Sequence, residues 1–217
     1  MTRRIALALA GFALALAPAA PAHAQAQNYQ PVRVDLTAYA AYASADATSW
    51  GGGAALEAKY NATDHLAVGL RFEGAGFVTQ SVTVGSGDTT SVEQGARAVS
   101  AYSAKADWYF GSSSTRPFVG LGLGYYRIGA GTQSASSGGT VVQTAVAFRG
   151  FGISPQVGVN FGGFRLAATY HLVGGDDMVV AMQAVGAPAP TEVTLAKNFF
   201  AFEIGGTIGG RRTSGLP

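Results

Sequence analysis

From Pro31 onward, apolar and polar residues alternate with a period of two. This is the signature of β-strands whose two faces meet different surroundings. In Val32–Ala43, the residues Val32, Val34, Leu36, Ala38, Ala40 and Tyr42 share one face, and Arg33, Asp35, Thr37 and Tyr39 the other. The same alternation predicts further strands over about Gly53–Tyr60, Leu66–Thr79, Ala96–Phe110, Pro117–Ile128, Thr144–Phe161, Phe164–Val173 and Val193–Ile208. Pro155 falls on the apolar phase of its strand and cannot donate to a ladder, so a bulge or local irregularity is expected there.

The connections sort into two kinds. Residues 61–65, 111–116 and 162–163 make short turns, whereas the alternate connections are longer and rich in Gly, Ser, Thr, Ala and Asp. The longest runs over about Gly174–Glu192, and low-complexity tips such as Ser134–Gly139 are expected to be mobile. An even number of alternating strands, with short turns at one end and long loops at the other, predicts an all-β fold. Specifically, it predicts an eight-stranded antiparallel up-and-down transmembrane β-barrel. No helical domain, fixed repeat or linker interrupts the pattern. Residues 25–210 therefore read as one barrel, with Gln25–Gln30 a lead-in and 211–217 a short polar tail.

Alternation alone does not say which face points outward, since a soluble barrel is apolar inside and a transmembrane one is apolar outside. The polar face carries six basic residues (Arg33, Lys59, Arg71, Arg97, Lys105, Arg165) and five acidic ones (Asp35, Glu57, Glu73, Asp107, Glu203). Such near-balance suits an enclosed interior, where an unpaired charge is costly. These eleven residues are the expected lumen charge network.

The apolar face carries Tyr42, Tyr60, Tyr102, Trp108, Phe110, Phe118, Tyr125, Phe161, Phe164, Tyr170 and Phe200 near strand ends. They are expected to form two interfacial girdles around a lipid-facing band, although aromatics are also good strand formers in general. Gly69, Gly120, Gly122, Gly124, Gly152 and Gly158 share the polar phase. They leave room for long charged side chains in a narrow barrel, and they also ease sheet curvature.

Met1–Ala24 departs from this pattern. Arg3 and Arg4 precede an apolar run from Ile5 to Ala17, and Ala22-His23-Ala24 follows as an A-x-A site. Residues 1–24 read as a cleaved secretory signal peptide. Its removal leaves twelve basic and twelve acidic residues, from 14 and 12 in the whole chain. Charged residues make up 12% of the chain, against about 25% in ordinary soluble domains. There is no Cys, which excludes a disulfide scaffold, a thiol nucleophile and Cys-based metal sites. The balanced charge argues against nucleic-acid binding. Past residue 24 no apolar run reaches the roughly 18 residues of a membrane helix.

Three stretches carry a family likeness: Arg116–Tyr126 (RPFVGLGLGYY), Gly152–Phe161 (GISPQVGVNF) and Asn198–Gly210 (NFFAFEIGGTIGG). They resemble the bacterial outer-membrane β-barrel domain family, the small eight-stranded porin-like proteins that include the OmpA transmembrane domain, OmpX and OmpW types. The resemblance covers nearly the whole mature chain. It implies location in the outer membrane, contact with outer-membrane lipid and lipopolysaccharide, and insertion by the barrel-assembly machinery. Many members end on an aromatic residue that this machinery reads. Here the chain continues past Ile208 to Pro217, and Phe199, Phe200 and Phe202 are the nearest substitutes.

Candidate chemistry is sparse. His171 is the one strand histidine, and the lipid A deacylases that resemble this architecture use His with Ser and an acid. No such partners surround Tyr170-His171-Leu172-Val173 in sequence, so His171 reads as an inward structural residue. His65 reads as an exposed turn residue. Asp176-Asp177 is too weak for a metal site, Gly120-x-Gly122-x-Gly124 has the wrong spacing for a dinucleotide fingerprint, and Asn61-Ala62-Thr63 marks a turn. The expectation is a monomeric, non-enzymatic barrel without catalytic, metal or cofactor residues, with a charge-plugged lumen and a structural or surface-interaction role. The alternatives are a narrow channel for small hydrophobic solutes, a lipid A-modifying enzyme and a secreted calycin-like binder.

Overall fold

The computed structural model describes residues 29–43, 49–84, 91–111, 113–135, 141–175, 178–182, 191–195 and 197–210. They form β1 (Val32–Ala43), β2 (Ser49–Asn61), β3 (Leu66–Val84), β4 (Ser91–Tyr109), β5 (Thr115–Ala135), β6 (Val141–Phe161), β7 (Phe164–Val173), β8 (Met178–Met182), β9 (Thr191–Leu195) and β10 (Phe199–Gly209). Eight of these close an antiparallel barrel in the order β1-β10-β7-β6-β5-β4-β3-β2. Closure comes from β1 pairing with β10, from Arg33 opposite Gly209 to Tyr42 opposite Phe200. The eight-stranded antiparallel barrel expected from the alternation is the fold observed. Signal residues 1–24 and the tail 211–217 lie outside the described residues.

The period-two pattern drives this closure because each strand has one face to bury. In β1, Arg33, Asp35, Thr37, Tyr39, Ala41 and Ala43 are buried, while Val32, Leu36, Ala38, Ala40 and Tyr42 are exposed. A slip of one residue would exchange the two sets, so the pattern pins the register. The short turns, the start of β1 and the end of β10 lie at one end of the barrel. The tightest turn joins β6 to β7, where Phe161 pairs with Phe164. Gly162 takes a φ of 59° there, a left-handed conformation that Gly adopts without a Cβ penalty.

Two expectations are corrected. First, the strand expected over Val193–Ile208 is two strands. The barrel strand β10 begins at Phe199, and β9 pairs instead with β8 in a separate two-stranded sheet. The apolar run Met178–Met182 that partners it lies in what reads from the sequence as a loop. Second, the connections after β3 and β5 are shorter than the sequence suggests, because Gly, Ser and Thr residues up to Val84 and Ala135 continue as paired strand. The loop-tip residues 136–139, expected to be mobile, lie outside the described residues, as do Asp176 and Asp177.

The irregularity expected at Pro155 is present as a gap in the ladder and not as a bulge. Pro155 pairs with Leu121, and the β6–β7 ladder skips from Ile153–Leu172 to Gln156–Thr169 without changing register. A missing N–H interrupts hydrogen bonding without requiring an extra residue. The register shift occurs instead between Thr79 and Val82 in β3. Of the lead-in, Tyr29 is buried, and Asn61 donates through its backbone N–H to Pro31 (2.7 Å) and through Nδ2 to Gln30 (2.6 Å).

Candidate functional site

The inward side chains form three layers along the lumen. Nearest the short turns is an aromatic and cationic layer. Arg116 stands over the rings of Tyr29 (3.8 Å) and Tyr109 (4.5 Å), and Arg33 over Tyr109 (5.0 Å). Arg116 also donates to the backbone carbonyl of Asp64. Phe118 belongs here, not to the outer face where it was expected. It is buried with Arg165 stacked 4.0 Å over its ring, because it shares the phase of Gly120 and Gly122.

The middle layer holds the charges. Five cations, Arg33, Lys59, Arg71, Lys105 and Arg165, meet five carboxylates, Asp35, Glu57, Glu73, Asp107 and Glu203, all buried. Arg71 reaches Glu57 (2.7 Å), Glu73 (2.7 Å) and Glu203 (2.9 Å) at once. Asp35 accepts from Arg33 (2.7 Å), Lys59 (2.9 Å) and Arg165 (3.3 Å). Lys59 also reaches Asp107 (2.5 Å), Lys105 reaches Glu57 (2.6 Å), and Lys59 pairs with Glu57.

Neutral groups complete the layer. Gln156 donates to Glu203 (2.9 Å) and accepts from Arg165 (2.7 Å) and Lys105. Thr169 donates to Glu203 and Thr207 to Asp35 (2.7 Å). Multiple, charge-assisted contacts of this kind offset the desolvation that a buried ion would otherwise suffer.

Arg97 departs from expectation. It is buried but lies outside this layer, with its guanidinium 4.1 Å over the Phe77 ring and its Nε and Nη2 without hydrogen-bond partners. Its phase on β4 is inward, as expected, but it sits several rungs nearer the long-connection end than Lys105 and Asp107. Without it the network is five against five.

β5 contributes glycines to the middle layer, and their reason is space. A Cβ on Gly120 would run into the Asp107 carboxylate, one on Gly122 into Ser154, and one on Gly158 of the neighbouring β6 into the Phe118 ring. Gly120→Val is therefore expected to destabilise the barrel by roughly 1–3 kcal/mol through overpacking. Chemical unfolding of the purified protein checks this, and an unchanged midpoint would remove the spatial argument.

The third layer, towards the long connections, is apolar. Tyr39, Ala41, Ala43, Ala55, Ala75, Phe77, Val99, Ala101, Tyr126, Ile128, Val173, Phe199 and Ala201 form one buried cluster. His171 sits at its lower boundary, stacked on Phe199 (ring centroids 4.1 Å apart) and within 3.0 Å of the Tyr126 hydroxyl and 3.3 Å of Glu73. His65 lies in its turn, as expected, and stacks on Trp108.

Outside, the polarity is reversed. Leu36, Leu56, Leu70, Phe72, Val119, Leu121, Val157, Phe202, Ile204 and Ile208 are all exposed. Of the expected girdle residues, Tyr42, Tyr60, Tyr102, Trp108, Phe110, Phe161, Phe164 and Tyr170 are exposed on this wall, with Tyr125 and Phe200 half-buried on it. Trp50, which lies before the strand start read from the sequence, joins them and packs 4.7 Å from Tyr42.

A continuous exposed apolar wall around an ion-paired interior is unsuited to water and suited to lipid. Among the described residues no helix is long and apolar enough to cross a membrane. The chain's architecture matches a major outer membrane protein of Thermus thermophilus, with a TM-score of 0.50 and 13% identity over 81% of this chain and 98% of that one. The fold is that of an outer-membrane barrel. The N-terminal β-barrel domain of Pseudomonas aeruginosa OprF also aligns (TM-score 0.37, 18% identity, 84% of this chain and 98% of that one). So does Neisserial surface protein A (TM-score 0.42, 18% identity, 81% and 94%). No family model and no curated protein matches the chain. With its lipid-compatible wall, the barrel is built to cross a membrane with its strands.

The lumen residues outside the expected charge network include Gln156, Thr169, Thr207, Tyr109 and Arg116. The first four share the inward phase with the charges, so phase was their signal. Arg116 reads as a turn residue because Pro117 follows it, yet β5 begins at Thr115.

Proposed function

We propose that this protein is a non-enzymatic outer-membrane barrel whose lumen is closed by its own side chains, and that it acts as a structural or surface-interaction element. The observation that carries the reading is the stacking of two closures in one narrow lumen. The five-against-five ion network fills the middle, and the apolar cluster around Phe77, Ile128 and Phe199 fills the end towards the long connections. A solute would have to break both. The outward aromatics serve as interfacial girdles, the barrel-assembly machinery inserts the chain, and it works as a monomer.

Two features weigh against the alternatives. His171 is buried inside the barrel against Tyr126, Glu73 and Phe199, away from the membrane surface where lipid A would be modified. Recesses of about 370 and 610 Å³ are lined mainly by outward residues such as Leu36, Phe72, Leu166, Phe202 and Ile204, so they open to lipid and not to the lumen. Planar-bilayer recordings on purified protein are expected to show no steady single-channel steps. Large, steady steps would overturn the closed-lumen reading and favour the solute channel.

A further inference from the structure

The outward face of β3–β6 changes character from one rung to the next. Phe72, Tyr102, Tyr125 and Phe151 are cross-strand partners in a continuous row, with ring centroids 5.5 Å apart in Phe72–Tyr102 and 5.4 Å in Tyr125–Phe151. The next outward row towards the long connections is Gly74, Ser100, Arg127 and Arg149. The row beyond is Gly76, Ala98, Gly129 and Ala147. Two arginines therefore stand directly opposite each other on a strip otherwise made of bare backbone, methyl and hydroxymethyl groups.

Both arginines are on the outer face, and neither has a carboxylate partner among the described residues. Cross-strand like charges repel, and their Cβ atoms stand only about 4.5–5.5 Å apart. A Cβ added at Gly76 or Gly129 would meet nothing within 4 Å, so the strip beside them is open.

We propose that Arg127 and Arg149 clamp the phosphate of a phosphorylated glycolipid of the outer leaflet. The glycolipid's sugar lies across the Gly/Ala strip, and its acyl chains run down over the aromatic row. This rests on the reading of the barrel as an outer-membrane protein with its long connections outside. Aromatic rows mark the boundary between acyl chains and headgroups. One outward rung is two residues, about 6–7 Å along a strand, which sets the guanidinium groups at the headgroup phosphates. A planar guanidinium binds phosphate through paired N–H donors. Two opposed guanidinium groups that repel each other when empty are relieved by an anion between them.

The test titrates purified wild-type barrel in detergent with lipid A, with the same lipid after enzymatic removal of its phosphates, and with inorganic phosphate alone. Wild type is expected to bind the phosphorylated lipid at least about tenfold tighter than the dephosphorylated one. The R127Q/R149Q variant is expected to lose that difference. Ala98→Phe, which crowds the strip without changing charge, is expected to weaken phosphorylated-lipid binding with both arginines in place. Equal affinity of wild type and R127Q/R149Q for the phosphorylated lipid overturns the proposal, as does inorganic phosphate binding as tightly as the lipid. Membrane fractionation and heat-modified gel migration of the same proteins test the underlying reading separately. Outer-membrane, heat-modifiable protein without phosphate-dependent binding would sink only the site. Protein that is soluble without detergent would sink the orientation on which it rests.

Discussion

Arg71→Met is expected to lower folding stability by roughly 3–5 kcal/mol, because it removes one partner from a buried ion cluster and leaves the others charged. Arg71 is the cation that bridges to Glu203 (2.9 Å), and it also contacts Glu57 and Glu73. Glu57 keeps Lys105 and Lys59 when Arg71 is lost. Glu203 keeps the neutral donors Thr169, Gln156 and Thr37. Glu73 keeps only His171 (3.3 Å). The loss should therefore fall on Glu203 and Glu73, and the R71M/E203Q double variant should recover part of it. Urea unfolding followed by fluorescence of Trp50 and Trp108, both on the outer wall, measures each value. A loss under about 1 kcal/mol would show the network to be solvated and loose. Strictly additive losses in the double variant would show Arg71 and Glu203 to be energetically independent.

This expectation is partly legible in the sequence. Period two puts Arg71, Glu73 and Glu203 on one phase, and their near-balance of sign points to an enclosed space. Which carboxylate Arg71 meets is not legible, since Glu203 lies 132 residues away in the chain and approaches only after β10 closes against β1. Arg97 shows the same limit from the other side. Its phase is correct, but phase carries no height along the lumen, and at its height the neighbours are Phe77 and other apolar groups. The apolar layer is hidden for a related reason. Ala41, Ala75 and Val99 alternate with outward residues that are also small or apolar, so neither phase stands out. The split of the last expected strand into β9 and β10 is hidden because Thr191–Leu195 has the composition of a strand and says nothing about its partner.

Leu121→Arg is the second large effect, expected at roughly 2–4 kcal/mol when the barrel is folded in lipid vesicles. Leu121 is exposed on the outer wall, opposite Ala106 and Pro155, with Trp108 and Phe161 nearer the short turns and Tyr125 and Phe151 nearer the long connections. An arginine there would sit between the two aromatic levels, deep in hydrocarbon, with no carboxylate within reach on the outer face. Val32→Arg provides the contrast. Val32 is also exposed, but it lies opposite Tyr60 at the barrel end that carries the short turns, so its side chain can reach the headgroups. The cost there is expected to fall to about 0–1 kcal/mol. A soluble barrel would behave oppositely, since both positions would face water and both arginines would be nearly neutral. The depth dependence therefore reads the solvent around the barrel directly, independent of any ligand or partner. Equal, small losses at both positions would contradict the lipid-facing wall, whatever the fold.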